Sequence, residues 1–278
     1  MQNLENQNIE LQLLLQAIYL KYGYDFRQYA KASIKRRVLY HLEKHHLSNI
    51  SQMQHRLLHD VAFFDSLLLD MSVNVTEMFR DPACYRVLRK EVLPALKDFP
   101  HIKIWHAGCA TGEEVYSMAI LLKEMGLYER TQIYATDINE KVLKQAKEGV
   151  FPISRLRQYT QNYQKAGGTE SFSDYYHAQY EHVVMDRKLR KNILFSDHNL
   201  ATDNVFGEMH LILCRNVLIY FDRGLQNRVL NLFDEALIKS GFLCLGSKES
   251  LNFSTVTEHF DVIAKTEKVY RKKNEEKT

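Results

Sequence analysis

The stretch Ile102-Lys103-Ile104-Trp105-His106-Ala107-Gly108-Cys109-Ala110-Thr111-Gly112-Glu113-Glu114 decides how this chain folds. Its first four residues read as a short apolar strand that runs straight into a turn with glycines at 108 and 112. From Glu113 to Met125 the apolar spacing is helical. Downstream the alternation continues, with a strand over 131–137, a helix over 139–148 and an apolar run at 211–214. A helix over 225–237 and a strand over 242–245 follow, and 260–263 with 268–270 form a terminal hairpin. Such alternation predicts an α/β domain with a mostly parallel sheet and helices on both faces. Residues 151–190 interrupt it. They are rich in Tyr and Gln, contain Gly167-Gly168 and alternate around 175–185, which predicts a helical segment plus a small antiparallel β insertion.

Upstream of Pro100 the texture is different. Helical periodicity runs from Ile9 to Phe99 without a convincing strand. Ile9, Leu11, Leu14, Leu15 and Ile18 mark a first helix, and Gly23 offers its stop. A second helix is expected over 25–46, a third capped by Ser48 or Asn49, and a fourth over 61–71. A further helix opens at Asp81-Pro82, where proline loses no hydrogen bond. The expected organisation is a helical N-terminal domain over 1–80, a linker helix over 81–100 and the α/β domain over 101–278.

Composition bounds the function. Hydrophobic residues at 45% and charged residues at 26% exclude a disordered or fibrous chain. Lys+Arg 37 against Asp+Glu 34 leaves a net charge of +3, too small for a surface devoted to nucleic acid, though a local basic patch fits. The four cysteines (Cys84, Cys109, Cys214, Cys244) are far apart, which speaks against a disulfide framework or zinc site and for a reducing compartment. Residues 1–10 lack a signal-peptide pattern, and no apolar run approaches the ~18 residues of a membrane span. A soluble, cytoplasmic protein without a metal or direct membrane insertion is expected, acting as a monomer.

The glycine turn narrows the ligand. A phosphate loop needs Gly-Lys-Ser/Thr at the helix start, yet here Gly112 leads into Glu113-Glu114. The dinucleotide pattern G-x-G-x-x-G is absent too. Acidic residues suit a ligand that is positive near the helix start and carries no phosphate, as S-adenosylmethionine does with its ammonium and sulfonium. Asp137 ends the next strand, where a carboxylate accepts both ribose hydroxyls of an adenosine. Each residue alone has a plainer role: the glutamates complement the helix dipole, and Asp137 caps the following helix. Their ordered combination favours a cofactor site.

At these residues the sequence resembles the CheR family, the chemoreceptor glutamate methyltransferases of bacterial chemotaxis. The matching runs are Asn74-Val75-Thr76-Glu77-Met78-Phe79-Arg80, then 107–117, 135–138, Cys214-Arg215-Asn216-Val217-Leu218-Ile219-Tyr220-Phe221-Asp222, and 245–250. They cover nearly the whole chain in order. Met78 departs from the family's usual Phe, Ser240-Gly241 from a Gly-Gly turn, and Lys248 from a smaller polar residue. The resemblance implies a helical domain packed over a seven-stranded methyltransferase domain, with S-adenosylmethionine between them. It places cofactor contacts on Asn74, Thr76, Arg80, Gly108, Glu113 or Glu114, Asp137, Asn199, Leu200, Arg215 and Asn216. Arg80 and Tyr220 match the residues nearest the transferred methyl group. The implied reaction is methylation of glutamate carboxylates in the cytoplasmic methylation region of chemoreceptors, yielding methyl esters and S-adenosylhomocysteine.

Two further segments bear on the substrate. Arg27, Lys31, Lys35, Arg36, Arg37 and Lys44 cluster with His41, His45 and His46 on the second expected helix, opposed only by Asp25 and Glu43. A basic face is ordinarily solvated surface. In the resembled family this helix contacts the acidic receptor, which makes Lys31, Lys35, Arg36 and Arg37 expected substrate-binding residues. The insertion's Tyr176-His177-Ala178-Gln179-Tyr180-Glu181-His182 lacks the glycine-rich loop with which some members grip a receptor C-terminal pentapeptide, so independence from such a tether is expected. The rival readings are a nucleic-acid methyltransferase and a non-catalytic cofactor-binding signalling module. The proline pair common in amino-methylating enzymes is missing after Arg215-Asn216, and no nucleic-acid partner is expected.

Overall fold

The structure is a computed structural model that describes residues 2–71 and 76–274. Contacts divide the chain into two units, Met1–Asn74 with Ile219–Arg228, and Val75–Leu218 with Val229–Thr278. The segment Ile219–Arg228 thus belongs to the helical unit although it lies far inside the α/β sequence.

The helical unit contains α1 (Gln2–Tyr22), α2 (Lys31–Lys44), α3 (Ile50–His59) and α4 (Val61–Met71). Each buries the stripe its spacing dictates: Leu11, Leu14, Leu15 and Ile18 on α1, Ile34 and Val38 on α2, Ile50, Met53 and Leu57 on α3, and Phe63, Phe64, Leu67 and Leu68 on α4. Gly23, at φ +78°, stops α1, and its N–H donates to the Tyr19 carbonyl at 2.9 Å. The Asn49 side chain caps α3 by accepting from the Gln52 N–H at 2.9 Å.

Helix α2 starts six residues later than its periodicity suggests, and the reason is long-range pairing. The Ala30 N–H donates to the Tyr220 carbonyl and the Asp222 N–H donates to the Gln28 carbonyl, both at 2.9 Å. Tyr29 forms an isolated antiparallel bridge with Phe221. A helical 25–30 would forfeit these bonds, so the passage stays outside the helix, with a turn at Arg27-Gln28. Arg27 consequently sits off the helix.

The α/β unit opens with α5 (Pro82–Val87), a π-helical stretch (Leu88–Val92) and the short α6 (Leu93–Ala95). It continues through β1 (Ile102–Ala107), α7 (Glu113–Glu124), β2 (Thr131–Asp137) and α8 (Glu140–Glu148). The insertion holds β3 (Val150–Pro152), α9 (Leu156–Lys165), β4 (Tyr176–Gln179) and β5 (His182–Met185), whose order is β3-β5-β4 and whose pairings are antiparallel. Then come β6 (Ile193–Asp197), β7 (Met209–Cys214), α10 (Arg223–Ala236, of which 229–236 fall in this unit), β8 (Leu237–Leu245), β9 (Phe260–Ala264) and β10 (Val269–Lys272).

The main sheet has seven strands in the order β6-β2-β1-β7-β8-β10-β9. Its first five run parallel, and β10 pairs antiparallel with both β8 and β9. Going outward from β1 in sequence, β2 and β6 lie on one side and β7 and β8 on the other. The order therefore reverses beside β1, where open α/β sheets hold ligands. Ser240-Gly241 lies within β8 instead of forming a turn: Ser240 has φ +61°, and the β7–β8 register shifts between Met209 and Leu211. Strand β6 was not apparent in the sequence, because it is partly exposed along its length and alternates weakly. No helix among the described residues is long and apolar enough to cross a membrane.

Candidate active site at the carboxyl ends of the strands

Three backbone turns meet at the carboxyl ends of β1, β2 and β7. After β1, the Gly108 and Cys109 N–H groups donate to the Thr136 carbonyl of β2 at 2.8 and 2.9 Å. Gly108 has φ +80°, and a Cβ there would lie 2.5 Å from Val217, so this glycine serves both conformation and closeness. Asp137 ties the β1 turn to the end of β2: its carboxylate accepts from the Ala110 N–H at 2.9 Å and from the Asn139 N–H at 3.0 Å. After β7, Asn216 adopts φ +62°, and its N–H donates to the buried Glu249 carboxylate, which also accepts from the Gly246 N–H.

The two adjacent glutamates have opposite fates. Successive helical residues point about 100° apart, and here that separates an ion-paired carboxylate from one with no ion pair. Glu114 accepts from Arg215 Nη1 at 2.9 Å and lies 2.9 Å from His106 Nδ1. Burial pushes its carboxyl up, but the His106 hydrogen bond and the Arg215 charge outweigh that and hold it below the ordinary value. Glu113, only 6% exposed, accepts from the Thr111 hydroxyl at 2.6 Å and the Tyr159 hydroxyl at 3.3 Å. Burial raises its carboxyl above the ordinary value, and the two hydroxyls, a backbone hydrogen bond and the charge of Arg155 offset only part of that. No ion pair among the described residues includes Glu113. Asp137 is likewise raised by burial, with its backbone hydrogen bonds opposing.

Arg215 is the strut of the site. Its side chain is 2% exposed and donates to Glu114, to the Arg80 carbonyl and to the Asp81 carboxylate, each at 2.9 Å. The loop it grips is held from two other sides. The Phe79 N–H donates to Ser117 Oγ of α7 at 2.9 Å, and the Met78 carbonyl accepts from Asn162 Nδ2 of α9 at 3.0 Å. Phe79 and Asp81 both have positive φ, at +53° and +55°. Backbone of this kind persists only where its surroundings over-determine it. Arg80 is fixed between these two residues.

The structure thus gathers Gly108, Glu113, Glu114, Asp137, Arg215, Asn216 and the main chain of Arg80 into one hydrogen-bonded region. Asn199 and Leu200 follow β6, next to His198, whose N–H donates to the Asp137 carbonyl at 3.2 Å. Thr76 is half-buried in the loop before Phe79. Asn74 lies outside the described residues. Tyr220 belongs to the helical unit. His106, Thr111, Ser117, Tyr159, Asn162 and Glu249 were missed by sequence reading, since each acts through a partner distant in sequence or by supporting a neighbour. Among the described residues no cluster of His, Cys, Asp or Glu is arranged to hold a metal ion.

The basic cluster on α2 is smaller than its sequence suggests. Arg27 is paired with Asp25 at 2.7 Å, and Lys44 with Asp70 of α4 at 2.9 Å. His41 is fully buried with Nδ1 2.6 Å from Asp70, so Asp25 and Glu43 are not the only opposing acids. Arg37 is half-buried. Lys31 and Arg36 are exposed, and Lys35 donates to Asn8 at 3.0 Å. Lys35 and Arg36 border a depression with Ala32, Leu39, Tyr40 and the acidic Glu43.

The family pattern described as "CheR methyltransferase, SAM binding domain" matches residues 74–269, and "CheR methyltransferase, all-alpha domain" matches residues 9–72. The chain is 52% identical over 267 residues to Cher3 of Pseudomonas putida, provisionally named a methyltransferase, covering 96% of this chain and 98% of that one. It is 29% identical to a protein named chemotaxis protein methyltransferase in Listeria monocytogenes, over 82% of this chain and 85% of the other. A Borreliella burgdorferi protein of the same name is 30% identical, over 90% and 93%.

The Glu114–Arg215 pair yields a stability prediction. Since Glu114 is held below the ordinary carboxylate value, its contribution is complete at neutral pH and is lost progressively as pH falls from the ordinary value to the depressed one. Glu114→Gln leaves the Arg215 charge buried with Asp81 as its remaining carboxylate. Urea unfolding at pH 7 should show a loss of roughly 3 kcal/mol, as for other broken buried pairs. A loss below about 0.5 kcal/mol, the size of an ordinary surface change, would contradict the assigned role.

Proposed function

The chain belongs to the CheR methyltransferase family, and from that premise we propose that it methylates glutamate side chains of chemoreceptors in the cytoplasm, producing glutamate methyl esters and S-adenosylhomocysteine. Membership itself makes it an S-adenosylmethionine-dependent methyltransferase with a SAM binding domain over residues 74–269. The observation that carries the reading is Glu113, a buried carboxylate with a raised pKa and no cationic side chain paired to it. A ligand ammonium is the charge it lacks. Asp137, one strand away, retains acceptor capacity for ribose beyond the Ala110, Ile138 and Asn139 N–H groups it serves. The donor set therefore fits the cofactor.

In this reading Glu113 takes the methionine ammonium, and Glu114 stays committed to Arg215 and His106. Arg215, its guanidinium spent inside the protein, offers its main chain alongside Asn216. Gly108 lets the ligand approach the β1 turn, and Asn74, Thr76, Arg80, Asn199 and Leu200 complete the contacts. Bound S-adenosylmethionine supplies an electrophilic methyl group on a sulfonium. A solvated glutamate, with a pKa of about 4.3, is already ionised at neutral pH, so the protein needs no strong base. It must align the carboxylate oxygen and exclude water while the new O–C bond forms and the C–S electron pair returns to sulfur. Arg80 orients that carboxylate by charge-assisted hydrogen bonds, and Tyr220 shapes the pocket. Lys31, Lys35 and Arg36 attract the acidic receptor segment. The β4–β5 connection is only Tyr180-Glu181, without glycine, which supports independence from a receptor tether.

Three measurements test this reading. Radiolabelled methyl groups should enter receptor fragments in alkali-labile form, equally with and without the receptor's last five residues, and Arg80→Ala should abolish incorporation. Alkali-stable label would indicate N-methylation, and a need for the tail would refute tether independence. Calorimetric titration with S-adenosylhomocysteine should show affinity falling on acidification from above the ordinary carboxylate range, because ligand binding needs Glu113 ionised and burial raises its pKa. Glu113→Gln should bind at least about tenfold more weakly at pH 7, with only the Asp137 part of the pH dependence left. Equal affinity in both proteins would remove Glu113 from the ligand. Finally, Arg36→Glu should raise the receptor KM at low ionic strength and flatten its salt dependence. An unchanged KM would refute the docking role of α2.

A further inference from the structure

We propose that Arg37 is a positioning residue for Tyr220 and not part of the receptor-docking face of α2. The inference rests on the reading above that Tyr220 lines the methyl-transfer pocket, and it adds what holds that ring in place. Arg37 and Arg36 are sequence neighbours on one helix and look equivalent in the sequence. The fold separates them, since Arg36 is exposed and Arg37 half-buried.

The Arg37 guanidinium has two sets of partners, both within the helical unit. Nη1 donates to the Met71 carbonyl at 2.8 Å and more weakly to the Asp70 carbonyl at 3.4 Å. These are the last residues of α4, whose carbonyls have no partner inside their own helix and carry the negative end of its dipole. The guanidinium carbon also lies 5.0 Å from the centroid of the Tyr220 ring. The Asp70 side chain is occupied by His41 and Lys44 and leaves Arg37 to the carbonyls. Burial lowers the Arg37 pKa, yet a guanidinium remains charged throughout the working pH range.

Tyr220 is thereby held at two points. Its carbonyl accepts from the Ala30 N–H at 2.9 Å just before α2, and the neighbouring Phe221 packs edge-on against Tyr29 at 4.8 Å. Arg37, seven residues beyond Ala30 and so about two turns along α2, meets the ring. Main-chain pairing places the residue, and the cation over the ring sets its orientation. A planar fork is required for both tasks at once, because an ammonium is a point charge that cannot bridge a helix end and stack on an aromatic face together.

The test is steady-state methylation of receptor fragments by the full chain. Arg37→Ala should lower kcat by about 10- to 100-fold, the scale of a misplaced pocket group, with the receptor KM within about twofold of the parent. Arg36→Ala should do the reverse, raising KM with little change in kcat. Arg37→Lys, which keeps the charge, should fail to restore kcat. In a Tyr220→Ala background, Arg37→Ala should cost little more, since the ring it positions is gone. A raised KM with unchanged kcat for Arg37→Ala would overturn the proposal and return Arg37 to the docking face. So would rescue by Lys, or additive losses in the double variant. A Tyr220→Ala variant with parental kcat would instead overturn the reading of Tyr220 on which the proposal rests. If Arg37→Ala lacks the parental circular dichroism spectrum, Arg37→Lys carries the test by the same split between kcat and KM.

Discussion

The buried guanidinium of Arg215 is the constraint on which the α/β site depends. It stands at the carboxyl end of β7 and reaches Glu114 at the start of α7 and the Arg80-Asp81 turn before α5. A charge so enclosed is stable only if its partners are all in place. Three segments distant in sequence are therefore fixed relative to one another by a single side chain. The positive φ values at Phe79 and Asp81 are the local cost of that arrangement, and they frame Arg80.

The same arrangement explains why two consecutive glutamates differ. Glu114 is neutralised from within by Arg215 and hydrogen-bonded to His106. Glu113 turns toward Thr111 and Tyr159, whose hydroxyls solvate it without cancelling its charge. One carboxylate belongs to the framework and the other is left for a cation from outside. Electrostatic economy of this kind ties ligand choice to the fold, since a phosphate at this helix start would face Glu113.

Much of the fold was legible in the sequence. The alternation after Pro100, the glycine turn, Asn49 as a cap and the terminal hairpin all follow from local patterns, and the family resemblance is carried by short runs read in order. What was illegible depends on partners far along the chain. The late start of α2 reflects pairing of Gln28 and Ala30 with residues 220 and 222, and Lys44 lost its freedom to Asp70. Strand β6 escaped because it is a partly exposed edge with little alternation. The division of labour between Glu113 and Glu114 could not be read, because it is set by Arg215, 101 residues beyond Glu114. Arg37 shows the same limit, since only the fold distinguishes it from Arg36.

The protein keeps one buried carboxylate, Glu113, without an ion-pair partner until a cationic ligand arrives. Carbon-13 NMR of the labelled Glu113 carboxyl measures this directly, with Glu113→Gln used to assign the signal. Glu113 should titrate above the ordinary glutamate value in the free protein, and its pKa should fall markedly when S-adenosylhomocysteine is bound. A titration that saturating ligand leaves unmoved would contradict it.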